Sequence, residues 1–244
     1  MSSTIAMKNL TTTLTVHREF VVLDMRSYFN NDGISFDDLK CDGDFDGKGG
    51  TFPAEELPPS NALISVDGIP FFFPSKENGD VNNMVLSGQS IGFDETAVTA
   101  IHILGAVEGQ NGEVYEEEVT ISLEDGTYHP AYLKLSNWLL PAQYDERAAF
   151  LCSHLHFPDT GQQSLLNRHS AEIENYRFAE ELRYRSSASD AAVDRENAAK
   201  GIWRPRLWIQ TLPLDFKKPV IGITFMDNLN FHLFAVTLEK RIRQ

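Results

Sequence analysis

Short apolar runs alternate with clusters of Gly, Pro, Asn and Asp at roughly ten-residue spacing from about residue 20 to 158. The run Ile69–Phe73 stops at Pro74, for example, and Asp125-Gly126 follows another alternating run. An Asp-Gly pair readily adopts the positive φ angles of a two-residue hairpin, so this spacing predicts antiparallel strands joined by tight turns. The pattern is typical of a β-sandwich or barrel and argues against a helical bundle.

The spacing of apolar residues changes over about 159–201. Apolar residues at helical spacing within 171–185 predict one helix, and Asp190–Lys200 predicts a shorter one that ends at Gly201. Strand-like alternation resumes at Trp203 and runs to the last apolar segment. We therefore expect one antiparallel β-sandwich domain over residues 1–244, with a helical insertion at about 159–201.

The net charge of the chain disfavours two classes of binding partner. Twenty-one basic residues against 35 acidic ones give a net charge of −14, which disfavours binding to nucleic acid or to an anionic membrane surface. The chain has two cysteines, no run of about 18 apolar residues and no basic start followed by an apolar stretch. We therefore expect a cytoplasmic protein that binds a small-molecule substrate, does not bind nucleic acid or membrane, and can form a homodimer.

A series of motifs, in order along the chain, carries a resemblance to a known class of domain. The motifs are Asn30-Asn31-Asp32-Gly33-Ile34-Ser35, Asp44-Phe45-Asp46-Gly47, Val66-Asp67-Gly68-Ile69, Leu135-Ser136-Asn137-Trp138 and Leu212-Pro213-Leu214-Asp215. Together they resemble the jelly-roll β-sandwich domains, similar to carbohydrate-binding modules, that are appended to many secreted glycoside hydrolases. The resemblance implies the fold but not the function, since one fold hosts many functions.

The acidic loop Asp42-Gly-Asp44-Phe-Asp46-Gly is a candidate calcium site. Carboxylates at positions 1, 3 and 5 with glycine at position 6 resemble the start of a calcium-binding loop. Position 12, where such a loop has a bidentate glutamate, is Pro53. The alternative, which we favour, is a turn in which the aspartates accept hydrogen bonds from backbone amides. The sequence thus predicts no required cofactor, with calcium at Asp42, Asp44 and Asp46 as the exception to test.

The segment around Cys152, His154 and His156 is a candidate catalytic site. Alternation with period two would place these three side chains on one face of a strand. His-x-His resembles the start of a cupin metal site, but a cupin glutamate four or five residues later is missing from 158–161. Imidazole also suits acid–base chemistry near neutral pH. We therefore predict a catalytic role for His154 and His156, against metal binding or a solvent-facing pair.

The segment Trp203-Arg-Pro-Arg-Leu-Trp208 follows the predicted insertion. Guanidinium groups at Arg204 and Arg206 could hold a substrate oxyanion, because their planar donors match paired oxygens. We predict that these arginines act with the histidines, and that Trp203, Trp208 and Tyr176 form walls of the substrate site. The alternative is a core tryptophan with surface arginines that pair with the surplus acidic residues.

Two functions follow from these features. Stand-alone β-sandwich relatives of binding modules are known as cyclases in natural-product pathways, and that resemblance implies an enzyme that folds a reactive intermediate in an apolar pocket. Its reaction would be a Diels–Alder, other pericyclic or dehydrative cyclisation, helped by His or Arg polarisation. The alternative is a non-catalytic carbohydrate-binding module, which requires an exposed row of aromatic rings.

Overall fold

A computed structural model describes residues 18–36, 42–109, 115–144, 146–156 and 204–240, and the statements below concern these ranges. They contain fourteen strands and a short 3-10 turn at Ala54–Glu56. The strands are β1 (Glu19–Val22), β2 (Ile34–Ser35), β3 (Phe52–Pro53), β4 (Ala62–Val66), β5 (Ile69–Phe73), β6 (Met84–Ser87), β7 (Ser90–Thr96), β8 (Val98–Val107), β9 (Glu116–Leu123), β10 (Tyr128–Lys134), β11 (Arg147–Leu151), β12 (Arg206–Pro213), β13 (Val220–Phe225) and β14 (Asp227–Lys240).

Two antiparallel sheets contain most of these strands. One sheet has the order β1-β14-β8-β12-β11, with β6 also paired to β14, and the other has the order β10-β9-β13-β7. The remaining strands form the hairpin β4-β5 and the short parallel pair β2-β3. The mainly β, antiparallel β-sandwich expected from the sequence is confirmed. The hairpin at Asp125-Gly126 also forms, with Gly126 at a φ of 80°.

Aromatic side chains fill the core beneath the β2-β3 pair. The ring of Phe45 lies 4.5 Å from that of Trp138 and meets Phe52 edge-on at 5.0 Å, while Phe52 contacts Phe234 of β14 at 5.7 Å. Tilted and edge-on pairs at these distances are the favourable arrangements for aromatic quadrupoles. The acidic loop that carries Phe45 is thereby anchored to the central strand β14, and so are the residues that follow it.

Part of the sequence interpretation is wrong at the end of β11. We expected a strand that continues through His156, but β11 ends at Leu151 and residues 152–156 are irregular. His156 instead pairs with Thr51: the Thr51 amide donates to the His156 carbonyl at 2.9 Å, and the His156 amide donates to the Thr51 carbonyl at 3.1 Å. These backbone bonds lead the chain away from β12 and towards the 3-10 turn.

One other expectation, the helical insertion at about 159–201, falls outside the described residues. No helix within the described ranges has the length and the apolar character that a membrane crossing requires.

Candidate functional site

His154 and His156 lie where three separate segments of the chain meet. They follow β11, they face the 3-10 turn that carries Glu55 and Glu56, and they adjoin the β2 residue Ser35. The exposed fraction of the side chain is 19% for His154 and 6% for His156. The two rings are therefore fixed by protein contacts, and His154 still has access to solvent.

Hydrogen bonds orient both imidazole rings. Nδ1 of His154 lies 2.7 Å from Oε1 of Glu56 and 2.8 Å from the Ser153 hydroxyl, which itself donates to Glu56. Nδ1 of His156 lies 2.9 Å from the carbonyl oxygen of Ser35. With their Nδ1 atoms held in this way, the rings turn their Nε2 atoms towards each other at 3.0 Å.

The hydrogen-bond partners of the two rings determine which ring nitrogens carry hydrogen. Carboxylate and carbonyl oxygens only accept hydrogen bonds, so the contacts with Glu56 and Ser35 need an N–H at Nδ1 of His154 and of His156. A neutral imidazole has a single N–H, so a hydrogen bond between the two Nε2 atoms, which lie 3.0 Å apart, needs a second N–H on one of the rings.

Two carboxylates lie beside the histidine pair. Burial favours the neutral form of Glu56, but hydrogen bonds from His154 and from Ser153 outweigh it and lower the pKa of Glu56. Oε2 of Glu55 lies 3.9 Å from Nε2 of His156, and the Glu55 side chain is 45% exposed. The site therefore combines an ionised buried carboxylate, a second carboxylate nearer to solvent, and paired imidazoles.

A buried lysine holds the turn that carries these carboxylates. Nζ of Lys76 donates to the carbonyl oxygens of Ala54 at 2.6 Å and Leu57 at 3.1 Å, which bracket Glu55 and Glu56. Burial lowers the pKa of the Lys76 ammonium group, and the nearby carboxylates of Glu55 and Glu77 counteract this only in part. The ammonium group thus fixes the backbone that positions the carboxylates.

Arg204 and Arg206 lie at the same edge as the histidines. The amide of Cys152 donates to the carbonyl of Pro205 at 2.9 Å, which continues the β11-β12 pairing to this point. Burial raises the pKa of the Cys152 thiol well above its ordinary value; the Glu56 carboxylate acts in the same direction, and the two arginines oppose it. The segment that carries the histidines therefore begins beside the segment that carries the arginines.

The two arginines differ in exposure. Arg206 is 1% exposed and its guanidinium donates to the backbone carbonyl of Arg204 at 3.0 Å, whereas Arg204 is half-buried. The better access of Arg204 makes it the better placed of the two to meet a bound molecule.

None of the three residues predicted to form walls of the substrate site is placed at a pocket by the structure. Trp208 is fully buried, and its indole N–H donates to the carbonyl of Asn137 at 3.2 Å, which places it in the core. Trp203 and Tyr176 lie outside the described residues. Their role as substrate walls stays a prediction.

The acidic loop is held by its own backbone. Oδ1 of Asp44 accepts a hydrogen bond from the Gly49 amide at 2.9 Å, and Oδ1 of Asp46 accepts from the amides of Lys48 and Gly50, each at 2.9 Å. Across the described part of the chain, no group of three or more His, Cys, Asp or Glu side chains could hold a metal ion. Asp44 and Asp46 therefore accept backbone hydrogen bonds as in the turn that we favoured, and calcium binding at Asp42, Asp44 and Asp46 stays a prediction.

Sequence reasoning missed several partners of the histidines. Ser35 is 121 residues from His156, and Glu56 and Lys76 are also far from the histidines in sequence, so no spacing rule connects them. Nothing in the sequence marked the pair Glu55-Glu56 as a neighbour of the histidines. A structure is needed to show that these groups meet.

Comparison with known proteins agrees with this fold. A family model described as an AziU2-like beta-sandwich domain matches residues 19–241, which is nearly all of the chain. No curated protein matches the chain. The expected resemblance to carbohydrate-binding domains receives no support here beyond the β-sandwich itself.

Proposed function

The chain belongs to the AziU2-like β-sandwich domain family, and we propose that it is a biosynthetic enzyme that promotes a cyclisation of a small molecule. The family is associated with natural-product biosynthesis, which supports a biosynthetic role. The reaction itself rests on the chemistry of the site, because membership of a fold family does not identify a reaction.

The convergence of His154 and His156 is the observation that carries this proposal. Their Nδ1 atoms are held by Glu56 and by the Ser35 carbonyl, and their Nε2 atoms lie 3.0 Å apart. Catalytic groups held in a fixed orientation stabilise charge without reorganising during the reaction. An electrophilic centre that is partly open to solvent suits this role.

The proposed chemistry is polarisation of a substrate oxygen. A carbonyl or quinone-methide oxygen that approaches the imidazole pair would gain negative charge as the ring bond forms, and the positive centre would stabilise it. Arg204, near the same edge, would bind a second oxygen of the substrate. Binding of the reactive conformer would supply much of the remaining acceleration.

Paired substitutions test this proposal. The substrate is the uncyclised precursor that accumulates when the gene is deleted in the producing organism. We expect His154→Gln and His156→Gln to lower kcat on that precursor by about 10²-fold or more, the usual effect of losing such a stabilising group. His129→Gln, which changes a histidine of strand β10 in the other sheet, is the matched control and retains activity.

Two results would overturn the proposal. One is unchanged turnover in the folded His154→Gln, His156→Gln double variant. The other is a deletion strain that makes the cyclised product at the normal rate and accumulates no precursor. Circular dichroism of each variant establishes that it is folded before its activity is compared.

A non-catalytic carbohydrate-binding role is the second candidate, and one surface feature favours it. Tyr128 and Tyr132 are 69% and 49% exposed and, being four residues apart on the edge strand β10, share one face. Exposed rings in a row are what a sugar-binding platform requires. Binding of immobilised glycans that is lost in the Tyr128→Ala, Tyr132→Ala double variant would favour this role over the enzyme.

A further inference from the structure

We propose that Thr211, His102 and Glu239 form a second reactive site, in which the Thr211 hydroxyl is a nucleophile that accepts the acyl group of a small carboxylic ester. The three residues lie on three adjacent strands, β12, β8 and β14. None of them belongs to the histidine pair, so this activity goes beyond the proposed function and does not depend on it.

The strand register places the three side chains on one face of the sheet. His102 lies opposite Thr211 of β12 on one side and opposite Thr237 of β14 on the other. Residues directly opposite each other share a face, and so do residues two apart on one strand. Glu239, two residues after Thr237, therefore lies on the same face as Thr211 and His102.

The hydrogen bonds of His102 determine the position of its single ring proton. Nε2 lies 3.1 Å from Oε2 of Glu239, and Nδ1 lies 2.9 Å from Oγ1 of Thr211. A carboxylate only accepts hydrogen bonds, so Nε2 carries the N–H. Burial lowers the pKa of His102 despite the bond to Glu239, so the ring is neutral at pH 7. Nδ1 is then a lone pair, and the Thr211 hydroxyl donates its hydrogen bond to it.

This chain of contacts is the arrangement that activates a hydroxyl nucleophile. A hydroxyl is a weak nucleophile until a neighbouring base takes its proton, and a third group orients that base. Here His102 is the base, and Glu239 orients its ring and would stabilise the imidazolium that forms. The His102 side chain is 3% exposed, which holds the ring in place, whereas Thr211 is partly exposed. The residue that meets the ester is thus the more accessible of the two.

A positive charge lies beside this site. Arg147 of β11 lies opposite Ile209, two residues from Thr211 on β12, and is therefore a diagonal neighbour of Thr211 on the same face. Such neighbours are about 7–8 Å apart, within reach of a long side chain. Arg147 pairs with Asp67 and is 40% exposed, and its charge contributes to the lowered pKa of His102. Its guanidinium is placed to stabilise the oxyanion of an acyl-transfer intermediate.

The hairpin β4-β5 limits the size of the substrate. The hydroxyl of Thr237, which lies opposite His102, donates to the Pro70 carbonyl at 2.6 Å. At the turn of the same hairpin, Asp67 pairs with Arg147. The hairpin is thus anchored to β14 on one side of the site and to β11 on the other, and we expect the site to accept small acyl groups such as acetyl.

The transfer proceeds in two balanced steps. Oγ1 of Thr211 bonds to the carbonyl carbon of the ester while its proton passes to Nδ1 of His102. The bond from that carbon to the leaving-group oxygen then breaks, and the leaving group takes the proton from His102, which gives an alcohol or phenol and an acyl-threonine. Water, the second reactant, hydrolyses the acyl-threonine by the same route, which releases a carboxylic acid and restores the hydroxyl.

The activated ester 4-nitrophenyl acetate tests the assignment. It is mixed with the full chain, release of nitrophenolate is followed by absorbance, and acetylated peptides are identified by mass spectrometry. We expect an acetyl group on Thr211. Thr211→Val, which keeps the shape of the side chain, should lose this group, and His102→Gln should slow its formation by about 100-fold or more.

Matched variants separate this chemistry from folding. Thr224→Val and His129→Gln change the same residue types in the other sheet and should leave acetylation of Thr211 unchanged. Thr211→Ser keeps the hydroxyl and should be acetylated at the same position. Glu239→Gln keeps an acceptor for Nε2 but removes the charge, so it should lower the maximal rate of acetylation by about tenfold or more and leave KM unchanged.

The assignment is wrong if the unaltered chain carries no acetyl group at Thr211, or if folded His102→Gln is acetylated there as fast as the unaltered chain. Acetyl groups found only on lysines or on other histidines count against it in the same way. Where His102→Gln does not fold, an unchanged rate in Glu239→Gln decides against the assignment. The measurement uses no cyclisation precursor, so its failure leaves the proposed function standing, and failure of the cyclisation test leaves this site standing.

Discussion

Acid should destabilise the folded protein through His232, a buried residue of β14. Nδ1 of His232 lies 2.9 Å from Oδ1 of Asn83, its ring stacks on Phe45 at 4.0 Å, and its Nε2 has no hydrogen-bond partner among the described residues. Burial lowers the pKa of His232 to about 3. The ring is therefore neutral in the folded protein at pH 7 and makes no ion pair that would offset its charging.

The sign and size of the effect follow from linkage. An unfolded histidine has a pKa of about 6.5, so below that pH the unfolded chain binds a proton that the folded chain does not. The stabilisation from a neutral His232 is complete above pH 6.5 and is lost as the pH falls towards 3. Each pH unit in this window removes about 1.4 kcal/mol, or about 2 kcal/mol between pH 6.5 and 5.

Urea unfolding at several pH values measures this slope. The His232→Gln variant keeps an N–H donor for Asn83 but cannot titrate, and the fluorescence of the buried Trp138 and Trp208 reports unfolding. The difference in unfolding free energy between the native chain and the variant should fall by about 2 kcal/mol from pH 8 to pH 5. Any packing cost of glutamine is the same at every pH and does not change this slope.

The control is His129→Gln, whose unfolding free energy should run parallel to that of the native chain. His102 also has a pKa lowered by burial, which the pairing with Glu239 opposes. Its contribution is present in both proteins and cancels in the comparison. Parallel curves for the native chain and His232→Gln would refute the reasoning, because they would mean that the His232 ring takes up a proton as easily in the fold as in water.

Three further perturbations should change the stability of the fold. Burial and the carboxylates of Asp46 and Asp44 raise the pKa of Glu108 to about 7, so the fold loses stability as the pH rises from about 4.5 to 7 and this group ionises. In urea unfolding, Glu108→Gln should therefore add about 1 kcal/mol of unfolding free energy at pH 8, after allowance for solvent screening, and almost none at pH 5. Lys76→Met leaves two buried carbonyls without their donor and should cost about 2 kcal/mol, measured in the same way. In Gly105→Ala, the new Cβ would lie 2.7 Å from the backbone oxygen of His232; we expect a loss of about 2 kcal/mol or more in thermal unfolding, and an unchanged Tm would contradict the packing.

Local patterns predicted the fold well where neighbours in sequence are also neighbours in space. Ile69–Phe73 is a strand with the bounds expected, and the turn at Asp125-Gly126 joins β9 to β10. The order of the motifs along the chain also predicted the β-sandwich fold. Alternation of apolar and polar residues predicts a strand with one buried face, and β14 departs from this. It lies between other strands and is buried on both faces from Phe231 to Leu238.

The candidate site was only half predictable. The sequence predicted His154, His156, Arg204 and Arg206 by residue type and by position, and the β11-β12 pairing places the two segments that carry them side by side. It gave no indication of Glu56 as the partner of His154, since that contact depends on where a distant turn packs. Spacing rules work within one element, and this site joins several.

The end of β11 at Leu151, where we expected the strand to continue through His156, explains how the two histidine rings come together. On a regular strand, residues two apart are separated by about 6.8 Å and their side chains run nearly parallel, so two histidines would keep their rings apart. The chain instead leaves β12 after Cys152 and pairs His156 with Thr51, and the two ring centroids come within 4.9 Å of each other. The break in the strand is therefore needed for the two Nε2 atoms to lie 3.0 Å apart. A substitution that extended β11 through His156 would preserve both histidines and still separate them, and the site would lose its chemistry without losing a residue.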